Sequence, residues 1–445
     1  LTVKRLYKPE YLYNDGDFLK NAAVLTEDGV ILETGDAENL AAVYPEAEIL
    51  NWDGLVMLPG TVNVHNHCFQ SILRGLSCDK PFLEWRDNAL YRFSPRFGKK
   101  EIYGAARFAF AEMMKYGVTT VCDFFYLHGF GAESDEMIVK AAADVGIRLV
   151  LARTMYDWCG APPCYVETVD EAVKNTKLLA ERYGSGDMVT VLPAPHSLHA
   201  ASVEMVKAGH ALAKELGVCF HIHVAEEPFE VEQVKAEHGG LTPIELLDKI
   251  GVVDDSMVII HGVWLKKSEI DRLGEAGGKL AYCPSSNMFL ADGITDIPRM
   301  MKKGVLIGLG SDGACSNNRI SVFEEMRMVA ILQKAATCDA MCVNYRQAFD
   351  MGTKNGGQLL GLPVGEIKKG MKADFVGIDA SDMSMQPISA SGEQILPNIV
   401  YSMQPQAIKK VVVDDRMTVD GGRLVSVPEE VIVRDVGEIL KTIGA

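Results

Sequence analysis

A chain of 445 residues with 48% hydrophobic and 23% charged side chains can bury a large core, which excludes a disordered polymer. A formal net charge of −16 leaves no basic excess to hold a nucleic acid or an anionic membrane face, and no apolar stretch reaches the ~20 residues needed to span a bilayer. The ten cysteines form no CxxC pair and Leu1–Gly16 has no apolar signal-peptide core, so reduced thiols in a cytoplasmic protein are expected. An acidic total does not exclude an anionic substrate, because one arginine in a pocket overrides it locally.

In chain order, residues 1–57 offer short β-type pieces broken by turns: Ala22–Leu25, Val30–Thr34, Ile49–Leu50 and Leu55–Leu58. Eight short apolar runs follow between residues 58 and 313. They are Thr61–His65, Val118–Asp123, Arg148–Ala152, Met188–Pro193, Val218–His223, Met257–His261, Lys279–Cys283 and Val305–Gly310. Most gaps between them hold segments of helical period, among them Glu101–Tyr116, Val169–Tyr183, Ser202–Leu216, Pro243–Ile250 and Lys267–Ala276. Thr242 is positioned to cap the fourth of these, with Pro243 in its first turn. No two-residue hairpin turn joins adjacent runs, so the connections read as crossovers and the strands as parallel.

Eight alternating strand–helix units describe either a (β/α)8 TIM barrel or a doubly wound open sheet. The polar residues decide. His65, His67, His196, His221, His223 and His261 fall at the C-terminal ends of four different runs, and Asp312 follows a fifth. A closed barrel aims all of those ends at one mouth, whereas an open sheet spreads them along a line. Residues 58–363 are therefore expected to form an α/β barrel domain. Residues 364–426 return to β-type pieces (Ala373–Ile378, Ile408–Val413 and Met417–Leu424 with Asp420-Gly-Gly as its turn), and Pro428–Ile443 reads as a closing helix. The chain ends, 1–57 and 364–445, are expected to pair into one small composite β-sandwich beside the barrel.

His65 and His67 are two apart on a strand and so point to one face. Taken alone, such a pair is more often hydrogen-bonded in a polar turn than bound to metal. Three further sites change the balance. His223 ends the fifth run with Glu226 about one turn beyond, His261 ends the sixth, and Asp312 follows a Gly-rich run end that permits close backbone approach. Three imidazoles (His65, His67, His223) and the Asp312 carboxylate, with room for a water, make an open catalytic site for one zinc per subunit, with ferrous iron as the alternative. Such an ion lowers the pKa of bound water from ~16 toward ~7. His221, one layer deeper, reads as a support, and His261 as a hydrogen-bonding group beside the metal.

The segments PGTVNVHNH, AEMMKYGVTTVCDF, APHS, HIHVAEE, IIHG, CPSSNMFLADGI, GLGSDGACSNN and GEIKKGMKADFVGID span nearly the whole chain. Together they resemble the amidohydrolase superfamily, in its branch of aminohydrolases acting on amino-substituted heterocycles. That branch includes guanine, 8-oxoguanine, isoxanthopterin and S-adenosylhomocysteine/methylthioadenosine deaminases, triazine hydrolases and formiminoglutamate deiminase. The resemblance implies one metal held by His65, His67, His223 and Asp312, with His196 standing where two-metal relatives place a carboxylated lysine. It also implies three catalytic residues: Asp312 as base for water, Glu226 as proton shuttle to a ring nitrogen, and His261 orienting the nucleophile or the attacked carbon. The implied reaction is hydrolytic deamination of a cyclic amidine with loss of ammonia. Relatives of this kind further imply a homo-oligomer, a dimer or larger, whose partner is a small heterocyclic substrate.

Four positions bear on that substrate. Gln70, in His67-Cys-Phe-Gln70, can donate and accept, which suits a lactam edge, and it resembles the glutamine after HxH in 8-oxoguanine, isoxanthopterin and formiminoglutamate enzymes. Trp85, in Phe82-Leu-Glu-Trp85 with Arg86 next, is expected to stack on a flat ring or to pack its loop down. Arg153, ending the third strand, is expected to hold a carbonyl or carboxylate, and His196 to face the same mouth. The HNHCFQ segment and Phe124-Phe-Tyr126 lean toward oxopurine, pterin or formimino substrates; Ser316-Asn-Asn318 and Glu324-Glu-Met-Arg327 lean toward adenosine derivatives. The expectation is an oxopurine or pterin such as 8-oxoguanine, isoxanthopterin or guanine. The alternative is an S-adenosylhomocysteine/methylthioadenosine, triazine or formiminoglutamate substrate.

Overall fold

The computed structural model describes residues 3–184 and 186–445. The N-terminal strands are β1 (Lys4–Asn14), β2 (Asp17–Leu19), β3 (Ala22–Glu27), β4 (Val30–Asp36) and β5 (Glu48–Pro59). Eight central strands follow: β6 (Thr61–Asn66), β7 (Val118–Phe125), β8 (Arg148–Met155), β9 (Val189–Pro195), β10 (Phe220–Val224), β11 (Met257–His261), β12 (Lys279–Tyr282) and β13 (Leu306–Leu309). The chain returns through β14 (Phe375–Asp379), β15 (Ile408–Val413), β16 (Arg416–Asp420) and β17 (Arg423–Leu424) before the closing helix Glu429–Ile443.

Each central strand coincides with one of the eight apolar runs. Val-Thr-Thr-Val-Cys-Asp-Phe-Phe of β7 is buried at every position, as is β8, because parallel strands covered on both faces have no solvent side on which to alternate. Between strands, the helix Val169–Tyr183 starts in a reciprocal cap: Glu171 N–H donates to Thr168 Oγ1 (3.3 Å) and Thr168 N–H to Glu171 Oε2 (2.9 Å). At Pro243–Lys249 Thr242 is the N-cap and Pro243 opens the first turn, as expected. Thr242 gives its hydroxyl to Glu269 (2.6 Å), while Glu245 accepts its N–H (2.8 Å).

β6 to β9 and β10 to β13 form two four-stranded parallel sheets that meet at both edges. At one edge Ser197 bridges to His223, whose N–H donates to His196 O at 2.9 Å. At the other, Asp312 N–H donates to His65 O (3.0 Å) and Ser311 N–H to Asn63 Oδ1 (3.1 Å). The regular ladder stops between β9 and β10 for a reason visible in the sequence. His196 N–H points to Met155 O on the β8 side, so by alternation residues 193 and 195 face β10; both are prolines, with no N–H to give.

The terminal segments pack across one shared core, Tyr7 of β1, Val24 of β3 and Ile31 of β4 meeting Phe375 of β14 and Val412 of β15, with Thr26 Oγ1 donating to Asp415 Oδ1 at 2.9 Å. They form one hydrogen-bonded sheet of nine strands, in the order β17-β16-β15-β14-β5-β1-β3-β4, with β2 beside β1. The expected pieces Ile49–Leu50 and Leu55–Leu58 belong to the single 12-residue strand β5. Its length lets it pair with β1 along one side and with β14 along the other, joining both chain ends in one ladder. Buried Arg148 at the start of β8 ties this sheet to the central body through Asp374 (3.1 Å). No helix among the described residues is long and apolar enough to cross a membrane.

Candidate active site and metal centre

His65 and His67 end β6 and face His223 at the end of β10, with ring centroids 4.7 Å apart for the first pair and 4.9 Å for His65–His223. Donor atoms of His65, His67 and His223 lie within 4.8 Å of one another, as do those of His65, His261 and Asp312. Asp312 Oδ1 is 3.2 Å from His67 Nε2 and 3.5 Å from His65 Nε2. Gly310 permits this approach, because any side chain there would collide with His65.

Neighbouring groups fix the direction of each lone pair. His67 Nδ1 sits 2.7 Å from Phe124 O and His223 Nδ1 2.9 Å from His196 O. A carbonyl only accepts, so Nδ1 carries the proton in both rings and Nε2 offers its lone pair to the centre. Burial, reinforced by the other imidazoles, pushes His67 down to about 4 and His223 well below its ordinary value, so both are neutral. Both ring nitrogens of buried His65 lack a hydrogen-bond partner. An orphaned imidazole, two aimed lone pairs and an adjacent carboxylate fit a divalent cation bound by nitrogen and oxygen.

His261 is set the other way. Asn287 Nδ2 donates to its Nδ1 (3.0 Å) and to Asp292 Oδ2 (3.0 Å). The neutral ring therefore carries its proton on Nε2, which lies 3.3 Å from Glu226 Oε1 and 4.0 Å from Asp312 Oδ2. It can donate toward these carboxylates, and that tautomer has no lone pair for a metal. Burial, then the charges of Asp292, Glu230 and Asp312, raises the Glu226 carboxyl well above its ordinary range and favours its protonated form. For Asp312 burial also pushes upward, but the His65 contact and the neighbouring imidazoles outweigh it and hold the carboxyl well below its usual range. Ser286 Oγ donates to Asp312 Oδ2 at 2.7 Å. Glu226 is thus set to give a proton and Asp312 to accept one, with His261 Nε2 between them.

These groups open into a cavity that also receives Gln70, Trp85 and His196. Gln70 Nε2 donates to Tyr126 Oη (3.1 Å), so its amide hydrogens are partly committed. Trp85 is pinned by Nε1–H to Cys315 O (3.0 Å) with its ring beside Phe82. His196 stacks on His223 at 4.9 Å. His221 lies beneath, 3.8 Å from Cys122 Sγ, and belongs to neither cluster of donors.

Arg153 does not line this cavity. It is wholly buried, donating through Nε to Asp135 (3.0 Å) and through both terminal nitrogens to Glu167 (2.7 and 2.8 Å). Its charge is spent inside the fold, which corrects the expectation of a substrate contact. Conversely, the sequence reading missed most of an aromatic wall formed by Tyr91, Tyr126, Tyr156 and Tyr165. Tyr126 and Tyr156 each follow a strand end, the one signal they share with the ligands.

A metal-dependent hydrolytic centre on parallel strand ends defines the class of protein. The model of the amidohydrolase family matches residues 56–425, and the chain belongs to that family. It is similar to the 5-methylthioadenosine/S-adenosylhomocysteine deaminase of Syntrophobacter fumaroxidans, with 29% identity over 431 residues, 96% of this chain and 95% of the relative. It is also similar to the 5'-deoxyadenosine deaminase of Methanothermobacter thermautotrophicus, with 31% identity over 432 residues, 97% and 96% of the two chains. In fold it matches the structure of an adenosine deaminase from Xanthomonas campestris with bound zinc, at TM-score 0.90 and 24% identity over 99% of both chains. The chain is accordingly a hydrolase of C–N bonds in cyclic amidines, acting by metal-dependent hydrolytic deamination. The expectation of an oxopurine or pterin substrate gives way to its alternative, because these relatives carry the names of adenosine derivatives.

Proposed function

We propose that this chain is a zinc-dependent deaminase of 5'-substituted adenosines, releasing ammonia from the amino-bearing carbon of the adenine ring. The observation that carries the reading is the convergence of His65, His67, His223 and Asp312 on one centre, with the Glu226 carboxyl beside it, 3.3 Å from His261 Nε2. Supporting the substrate are the relatives' names and a cavity walled by aromatic rings that suit a flat purine. In this reading the two parallel sheets act as one closed (β/α)8 barrel over residues 58–363, flanked by a domain from 1–57 and 364–445.

His65, His67, His223 and Asp312 would hold the metal, whose Lewis acidity makes water nucleophilic at neutral pH. Asp312 takes up the proton that water loses, with Ser286 holding its Oδ2 in place. Glu226 gives its own proton to the ring nitrogen next to the attacked carbon. His261 donates from Nε2 and orients the attacking oxygen. Gln70, Trp85 and His196 surround the ring. Proton transfer by a positioned side chain is worth ~10²–10⁴-fold in rate.

The test is ammonia release by zinc-loaded protein from methylthioadenosine, S-adenosylhomocysteine and 5'-deoxyadenosine, beside 8-oxoguanine and isoxanthopterin. Turnover of the adenosine derivatives is expected. Turnover confined to the oxopurine or pterin refutes the substrate reading.

A further inference from the structure

We propose that Arg86 recognises a carboxylate on the substrate, at the end of the cavity away from the metal ligands, and so selects among adenosine derivatives; this rests on the deaminase reading above. Arg86 is the single lysine or arginine among the described residues lining that cavity. The deep end is formed by imidazoles, Glu226 and Asp312, so the two ends differ in charge.

Successive contacts along one wall join them. The Arg86 guanidinium lies 4.5 Å from the Tyr91 ring centre, and Tyr91 Oη is 3.2 Å from Tyr156 Oη. Tyr156 rests against His196 (4.7 Å), which stacks on His223 (4.9 Å). A ligand with its ring at the metal centre therefore extends past Tyr156 toward Arg86.

The charge of Arg86 is poorly matched by the protein. Its partner is the adjacent Asp87, whose side chain is 56% exposed and which takes Nε and Nη2 on a single oxygen, at 2.9 and 2.8 Å. Such an exposed pair is weak and readily exchanged. The two buried arginines of the same body differ: Arg148 is held by Asp374 and Arg153 by Asp135 and Glu167, each inside the fold. Tyr91 keeps the guanidinium plane oriented, and a planar fork of donors suits a carboxylate. Among the adenosine derivatives considered, S-adenosylhomocysteine carries a carboxylate and methylthioadenosine carries none.

The experiment compares wild type, Arg86→Gln and Arg86→Lys on two matched pairs: S-adenosylhomocysteine against methylthioadenosine, and pterin-6-carboxylate against pterin. Expected in the turned-over pair is a roughly 10- to 100-fold loss of kcat/KM for Arg86→Gln on the acid, carried by KM, with the neutral member changed less than about threefold. Arg86→Lys should recover part of the loss. Equal losses on both members, or no loss on the acid, overturn the role of Arg86. Turnover of the pterin pair alone overturns the adenosine reading, and Arg86 is then judged within that pair. Turnover of neither pair by wild type overturns the role of Arg86, and overturns the adenosine reading as well when 5'-deoxyadenosine is also left unchanged.

Discussion

Replacing Gly310 by alanine should dismantle the metal centre without altering any of its ligands. The added Cβ would lie 2.8 Å from His65 Cβ, 2.9 Å from His65 O and 3.0 Å from His65 N. Carbon atoms pack at ~3.5–4.0 Å, so β6 and the end of β13 must separate by ~0.7–1.2 Å. Neither side can yield cheaply, because the obstructing atoms are the His65 Cβ and backbone, and that carbonyl already accepts Asp312 N–H at 3.0 Å. Metal–ligand distances tolerate only ~0.2 Å, several times less than the required shift between His65 and Asp312. Overpacking of this kind costs about 1–3 kcal/mol in stability, and a 1 Å misplacement costs on the order of 10²-fold in rate. The assay is metal content of dialysed protein by mass spectrometry, with calorimetry and ammonia release on the same samples. Gly437→Ala provides the control: it sits within the helix Glu429–Ile443 with nothing within 4 Å of its new methyl, and should stabilise by about 0.5–1 kcal/mol. A Gly310→Ala protein with wild-type metal content and rate would refute the reasoning.

Arg153→Met leaves Asp135 and Glu167 buried without their cation, so a stability loss of ~3–5 kcal/mol is expected by denaturant titration, with KM of the folded enzyme unchanged. A raised KM at unchanged stability would restore Arg153 to the substrate. Glu226→Gln keeps shape but cannot deliver a proton: kcat should fall by ~10²–10⁴-fold while metal content stays the same. Loss of metal in that variant would instead make Glu226 a ligand. Dialysis against a chelator should abolish ammonia release and added zinc should restore it; activity surviving complete metal removal contradicts the assigned centre.

The central strands were legible because burial on both faces leaves an apolar run with no competing pattern, and β7 and β8 are the purest examples. The ligands were legible because each ends such a run. Arg153 satisfies the same rule and was misread for that reason. What separates it from His65 is its carboxylate partners, 18 and 14 residues away in sequence, and strand periodicity says nothing about them. The tautomer of His261 depends in the same way on Asn287, 26 residues distant. β1 was hidden by Lys4, Lys8, Pro9 and Glu10, which lower β-propensity although the strand lies inside its sheet. The tyrosine wall has no period at all, since its members come from separate segments that meet only at the cavity.

Three residues at the strand ends share a further property. Ala225, His261 and Asp312 have φ of 52°, 67° and 57°, in the left-handed region that disfavours side chains. Each costs ~1–3 kcal/mol unless its surroundings hold it there. The holding contacts are present: Trp264 N–H to Ala225 O (2.9 Å), Thr295 Oγ1–H to His261 O (2.9 Å) and Asp312 N–H to His65 O (3.0 Å). Glycine would relieve the strain at 261 or 312, but it has no imidazole or carboxylate to offer. An extended continuation of β11 or β13 would keep the alternation of the strand and carry those side chains along its faces. The left-handed turn breaks that alternation at the residue where the chemistry is needed. Backbone strain and ligand geometry are therefore one feature: the contacts that hold each turn also set where His261 Nε2 and the Asp312 carboxylate point.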